Sequence, residues 1–168
     1  VAVMNGFGGE LQGKGFYNTE AGRKQFATVL KDIIARDVFV VLLPNDTSWG
    51  SVPVLEKVIA LLPEQIRENA LIAPPLTQNR DLHNYLVYHA DLVTTVEGGL
   101  MHLAYNLGKP MVIIRMQHSS AFNEWVPAGT DPCQRTVMDP QAAGDGVAQV
   151  LYDMRTQKLV AENNVLQS

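Results

Sequence analysis

The segment from Asp91 to Ile114 limits the possible folds of this chain more than any other segment. A run of β-branched and apolar residues at 91–96 is followed by an acid and two glycines at 97–99, where a helical pattern begins. A Gly-Lys-Pro stop at 108–110 then precedes a second apolar run at 111–114. This order predicts a strand, a tight turn, a helix and another strand, which is a βαβ unit with its glycines at the carboxyl end of the first strand.

The position of Gly98 and Gly99 points to an anionic ligand. In open α/β sheets, ligands bind outside the carboxyl ends of the strands. Adjacent glycines let a ligand approach the backbone closely, and the free N–H groups that open a helix favour negative charge. The turn therefore predicts a phosphate-containing ligand. The alternative is a packing role, in which the glycines only let the helix lie close to the strand.

The composition fits one folded domain and excludes several classes of partner. Apolar residues make up 46% and charged residues 18% of the 168 residues, so the chain can bury a core. A net charge of −4, without a run of Lys or Arg, argues against nucleic acid as a partner. No apolar stretch is long enough to span a bilayer. With Cys133 as the single cysteine and no signal-peptide pattern, we expect a cytoplasmic protein, at most peripheral to the inner membrane.

Strand and helix patterns alternate along the whole chain. Apolar runs predict strands over 1–4, 38–43, 70–73, 91–96, 111–114 and 135–138. Between them lie helical stripes, the first of which has Thr19 as its expected N-cap. The alternation predicts a Rossmann-like, three-layer α/β/α fold with a mostly parallel sheet of about six strands. A C-terminal helix starts near Ala142, and we expect it to fray from Glu162 onward.

A glycine-rich loop after the first strand is the second candidate binding element. It opens at Asn5-Gly6 and carries Lys14. Because Gly15 and Phe16 follow the lysine, the loop does not match a P-loop. The functional hypothesis is that Lys14 reaches a diphosphate as a point charge, and the alternative is a flexible surface loop.

The remaining polar candidates are weaker. Asp46 follows the second strand, where an ordinary turn is a better interpretation than a ribose contact. His118 lies in an irregular region and is interpreted as a solvated loop residue. His102 alone on a helix is more often structural than a ligand. No His or Cys pair has metal-ligand spacing, so we expect no metal.

The residues after the fourth strand resemble a known family signature. They read Glu97-Gly98-Gly99-Leu100-Met101-His102-Leu103-Ala104, followed by Gly108-Lys109-Pro110. This resembles the Asp-Ser/Thr-Gly-x-x-His-Leu-Ala … Gly-x-Pro signature of glycosyltransferase family nine, the ADP-heptose:lipopolysaccharide heptosyltransferases. Trp125-Val126-Pro127 and the Asn5-Gly6 … Lys14 loop are similar to further elements of that family. The chain departs from the signature by having Glu97 in place of Asp and Gly98 in place of Ser or Thr.

The resemblance implies that residues 1–168 form a single Rossmann-like nucleotide-sugar-binding domain, the C-terminal half of a GT-B enzyme. Because Val1 already has a strand pattern, we expect a fragment that lacks its N-terminal acceptor domain. The implied reaction, part of lipopolysaccharide biosynthesis, transfers a heptose-like glycosyl group from a nucleoside diphosphate sugar to a saccharide or lipid-linked saccharide. The resemblance and the patterns together assign donor binding to Asn5, Gly6, Lys14, Glu97, Gly98, Gly99 and His102.

No cofactor is expected, and the resemblance places the general base outside this chain. Two alternatives stay open. One is a non-catalytic phosphate- or nucleotide-binding domain, and the other is a sugar-nucleotide epimerase of GT-B shape. For the glycine pair we expect Gly98→Ser to keep or improve diphosphate binding. Gly99→Val should lose that binding while the fold stays largely intact, and it should cost still more if Gly99 has a positive φ.

Overall fold

The computed structural model describes residues 1–5, 19–44, 50–96, 98–114, 134–137 and 140–166. Six strands and five α-helices alternate within these ranges, together with two short 3-10 helices at Glu64–Asn69 and Pro140–Ala142. The strands are β1 (Ala2–Asn5), β2 (Val40–Leu43), β3 (Ala70–Ile72), β4 (Leu92–Val96), β5 (Met111–Ile114) and β6 (Gln134–Val137). The helices are α1 (Glu20–Ile34), α2 (Val52–Ala60), α3 (Arg80–His89), α4 (Gly99–Asn106) and α5 (Ala143–Leu166).

The six strands form one sheet in the order β3-β2-β1-β4-β5-β6, and all neighbouring strands are parallel. The chain therefore builds outward from β1 to β3, returns to the other side of β1 at β4, and continues outward to β6. This reversal places the topological switch point of the sheet between β1 and β4. The predicted Rossmann-like fold and its strand number are confirmed.

The helices cover both faces of the sheet. Strand side chains alternate between the faces, so Met4 packs into one core with α1, α2 and α5, while Val3 packs into the other with α3 and α4. In β2 and β5 every residue is buried. This burial explains why these strands are apolar without alternation, as parallel strands in a three-layer fold are.

The ends of α1 follow from identifiable residues. The predicted N-cap is confirmed, since the Thr19 hydroxyl accepts a hydrogen bond of 3.0 Å from the backbone N–H of Gly22. After the helix, Asp37 adopts a φ of 58°, and its N–H donates to the Ile34 carbonyl at 3.1 Å. A left-handed residue of this kind closes a helix C-terminus.

The C-terminal helix is longer than the sequence pattern predicts. Fraying was expected from Glu162, but α5 continues to Leu166. The segment after Gly146 contains neither glycine nor proline, so nothing in its composition interrupts the helix despite its polarity. No helix in the described part of the chain is both long and apolar enough to cross a membrane.

The centre of β4 carries two buried threonines, Thr94 and Thr95, on opposite faces of the sheet. The Thr95 hydroxyl donates to the Val96 carbonyl at 2.9 Å. Among the described residues, Thr94 Oγ1 is the buried side-chain polar atom that has no hydrogen-bond partner. An unsatisfied buried hydroxyl is destabilising because it loses its bonds to water without replacement.

We therefore expect Thr94→Val to raise the free energy of unfolding by about 1 kcal/mol, because valine keeps the shape and removes the unpaired hydroxyl. Thr95→Val is the matched control, since it deletes a hydroxyl that already has a partner, and it should give no gain. Urea unfolding followed by circular dichroism measures both. Equal changes in the two variants would contradict this account of Thr94.

Candidate functional site at the carboxyl edge of the sheet

The turn between β4 and α4 lies at the carboxyl edge, beside the switch point. Gly98 is the N-cap of α4, and as a glycine it offers no side chain to accept from the first N–H groups of the helix. Helix α4 begins at Gly99, with the His102 N–H donating to the Gly98 carbonyl at 3.3 Å. The N–H groups at the start of this helix and its dipole together favour an anion at this edge.

The two glycines of this turn are under different constraints. Gly98 has φ 155° and ψ −167°, a combination that is essentially restricted to glycine. Gly99 has no such conformation, and an added Cβ there would meet no atom within 4 Å. The positive φ considered for Gly99 is therefore found at Gly98 instead, and the expected effects of the two substitutions on diphosphate binding stay predictions. The backbone requires glycine at 98, and the space beside Gly99 is open.

Alanine at each position tests this difference. We expect Gly98→Ala to lower the free energy of unfolding by about 1–3 kcal/mol, because it forces a Cβ into a backbone region that side chains avoid. Gly99→Ala should leave stability unchanged or raise it by up to about 1 kcal/mol, because alanine favours the helix. Thermal and urea unfolding measure both variants. A Gly99→Ala variant less stable than Gly98→Ala would contradict the assignment.

A cleft of about 430 Å³ opens between α3 and α4 next to this turn. Its apolar wall is formed by side chains from the end of β2, the segment before α3, and both helices, namely Leu43, Pro44, Leu76, Val87, Leu100 and Leu103. Arg80, His83 and Asn84 of α3 supply the polar groups, and Gly99 lies at its border. A concave, mostly apolar volume of this size with a few polar groups is typical of a small-molecule site.

The first turn of α3 is held rigidly at the cleft. Asn79 caps the helix by accepting a hydrogen bond of 2.9 Å from the Leu82 N–H. His83 is 6% exposed, and its Nε2 lies 2.6 Å from the Pro74 carbonyl oxygen. This bond connects α3 to the segment that follows β3. Sequence reasoning, which tested histidine pairs only for metal-ligand spacing, missed this role of His83. Its spacing one helical turn before Val87 was the available signal, since both lie on the inner face of α3.

The structure brings part of the predicted donor site together. Asn5 ends β1 and Gly98 and Gly99 follow β4, so these positions share the carboxyl edge of neighbouring strands. His102 is exposed on α4 and is not part of the cleft wall.

The structure does not describe the positions of the other candidate site residues. Gly6, Lys14 and Glu97 lie outside the described residues, as do Asp46 and His118 and the side chain of Asn5. Across the described ranges, no group of three or more His, Cys, Asp or Glu side chains could hold a metal ion.

Comparison with known proteins supports the fold. No family model and no curated protein matches the chain. It is similar to the solved structure of Escherichia coli ADP-heptose LPS heptosyltransferase II, with a TM-score of 0.65, 18% identity, and coverage of 91% of this chain and 47% of that one. It is also similar to E. coli heptosyltransferase WaaC with ADP-2-deoxy-2-fluoro heptose, with a TM-score of 0.52, 17% identity, and coverage of 90% and 42%.

The chain thus spans less than half the length of each of these two structures. At such low identity the likeness establishes the fold. The chain has a heptosyltransferase-like, Rossmann-type α/β fold.

Proposed function

We propose that this chain is the nucleotide-sugar-binding domain of a glycosyltransferase, the C-terminal half of a GT-B enzyme. The main support for the proposal is that two features of the site lie next to each other. The uncapped start of α4 at Gly98 and Gly99 adjoins a cleft of about 430 Å³ that Gly99 and Leu100 also border. An anion site and a mostly apolar cleft side by side suit the two chemically different ends of a nucleoside diphosphate.

The diphosphate belongs at the start of α4. The leaving group of a nucleotide-sugar donor gains negative charge as the glycosyl bond breaks, and stabilising that charge is the main electrostatic task of the site. Backbone N–H groups and the dipole of α4 supply part of this stabilisation. Lys14, in the loop after β1, would add a full positive charge, and this arrangement needs no divalent metal.

The nucleoside belongs in the cleft between α3 and α4. The leucines of its wall can pack against the faces of a flat ring, and Arg80, His83 and Asn84 can bind its polar edge. Glu97 would orient the sugar, and His102 would support the turn or a phosphate. The general base would come from an N-terminal acceptor domain.

The transferred group in this proposal is heptose-like, and the acceptor is a saccharide or lipid-linked saccharide of lipopolysaccharide biosynthesis. The protein would act in the cytoplasm, at most peripheral to the inner membrane. The likeness to two solved heptosyltransferase structures supports this choice.

A non-catalytic nucleotide-binding domain is the second candidate, and Gly98 favours it. The turn has a backbone conformation that a Ser or Thr would strain, so it differs from a turn built around a hydroxyl residue. Both candidates predict diphosphate binding at the same place. They differ in whether the complete protein turns over a nucleotide sugar.

Calorimetry with ADP, UDP and GDP tests the shared part of the proposal. We expect at least one diphosphate to bind, with unchanged affinity in EDTA. We expect Gly99→Val to lower that affinity at least about tenfold, or about 1.4 kcal/mol, because the side chain would fill open space that the ligand needs. Melting temperature and circular dichroism should show that the variant stays folded.

Asn106→Val is the matched control, since it puts the same side chain on an exposed position at the other end of α4. It should bind diphosphate like the unmodified chain. The proposal is wrong if no diphosphate binds at millimolar concentration, or if folded Gly99→Val binds as well as the control.

A further inference from the structure

We propose that the carboxyl-terminal ends of α3 and α4 form the interface of a homodimer of this chain. The tyrosine patch that makes this surface consists of Tyr85, Tyr88, His89, Tyr105, Leu107 and Lys109. It lies at the amino edge of the sheet, opposite the proposed nucleotide site, so the inference goes beyond the proposed function. It follows from where the exposed aromatic side chains collect and from the scarcity of charge around them.

The aromatic side chains of the patch are large and exposed. Tyr85, Tyr88 and Tyr105 are 60%, 59% and 48% exposed, and Leu107 extends the apolar surface. Because a tyrosine side chain has about 200 Å² of surface, these three residues alone present roughly 300 Å² to solvent. An apolar patch of this size on a protein surface is often an interaction site.

Direct contacts join the ends of the two helices into one surface. The Lys109 ammonium lies 5.4 Å from the centroid of the Tyr88 ring and donates a hydrogen bond of 3.1 Å to the Ala90 carbonyl. The Lys109 backbone is bonded to α4, since its N–H donates to the Ala104 carbonyl at 2.9 Å. Lys109 therefore connects the end of α3 to the end of α4, and the exposed residues of both ends form a single patch.

The rings of the patch hold one another in place before any partner binds. The centroid of the His89 ring is 4.2 Å from that of Tyr85 and 5.0 Å from that of Tyr88, and the second contact is edge-to-face. Side chains that are already restricted lose little conformational entropy when a partner covers them, which favours binding. Tyrosine is also among the residues that contribute most binding energy at protein interfaces.

The patch carries very little charge compared with the rest of the surface. Helix α4 contains no Asp, Glu, Lys or Arg, and the charged residues of α3, Arg80 and Asp81, lie in its first turn, away from the patch. The positive charge of Lys109 is already bound by the Ala90 carbonyl and the Tyr88 ring. Depletion of charge together with enrichment in tyrosine is the composition of the core of a protein interface.

This charge distribution fits a second copy of the chain as the partner. A surface that recognises an unlike protein usually carries charges that match that protein. A two-fold axis instead sets the same patch against itself, so like charges there would meet. Two copies with a net charge of −4 repel each other on average, and the tyrosine patch lets them approach without like charges in contact. The tyrosines of both copies can then pack in the offset or edge-to-face arrangements that aromatic rings prefer.

Sedimentation equilibrium on the unmodified chain tests for the dimer. Because the patch is smaller than a standard interface, we expect a weak dimer with a Kd of about 10–100 µM. The average mass should rise with concentration from 18.5 kDa toward twice that value.

Two tyrosine variants test which surface associates. Tyr88→Ala should raise Kd at least about tenfold, because it removes a central ring of the patch. Tyr152→Ala is the matched control, since Tyr152 is 65% exposed on α5, on the other face of the sheet, and it should leave Kd unchanged. Both positions are exposed, so the melting temperature of each variant should stay close to that of the unmodified chain.

Amide chemical shifts locate the interface without any substitution. Raising the concentration of the unmodified chain through Kd should move the resonances of residues 85–89 and 105–109. The resonances of residues 149–156 on α5 should stay in place.

The inference is overturned by a chain that remains a monomer at about 1 mM, well above the expected Kd. It is also overturned if Tyr88→Ala and Tyr152→Ala dimerise equally well, or if concentration moves the amides of α5 and not those of the patch. Calorimetry with nucleoside diphosphates tests the proposed function separately. Because the patch and the nucleotide site lie at opposite edges of the sheet, a failure of diphosphate binding would leave the dimer in place.

Discussion

The parallel pairing of β1 with β4 is the contact on which the site depends. Its register sets Val3 beside Val93 and Met4 beside Thr94, so the two strands end together at the carboxyl edge. Helix α1 then leaves on one face of the sheet and α4 on the other. Because the helices diverge, a crevice opens at this point, as it does in other open parallel sheets. The candidate site described above lies at that crevice.

The chemical character of the crevice comes from backbone as much as from side chains. Gly98 lets the chain leave β4 with a φ of 155° and enter α4 without a capping side chain. The helix start therefore keeps its N–H groups available for an anion. Next to it, leucines of α3 and α4 form an apolar wall, and His83 is fixed by the Pro74 carbonyl. The charged end of one ligand would contact the start of α4, and its flat ring would contact the apolar wall.

The sequence was sufficient to predict the fold because its signals are local and repeated. Apolar runs such as 111–114 reflect burial on both faces of the sheet, and the capping role of Thr19 follows from its position before a helical stripe. The site was less predictable. The identity of Gly98 permits a positive φ without specifying it, so the sequence did not show which of the two glycines has the constrained backbone. The role of His83 depends on an acceptor from a different segment, which no local pattern encodes.

Amide chemical-shift mapping with a saturating nucleoside diphosphate tests the central claim most directly, since it locates the ligand without any substitution. The account predicts the largest shifts at residues 98–103 and 80–87, which border the turn and the cleft. It predicts none at Phe39 or Leu107, which lie at the opposite, amino edge of the sheet. Shifts concentrated at that amino edge, or no shifts at saturation, would contradict a nucleotide site at the carboxyl ends of β1 and β4.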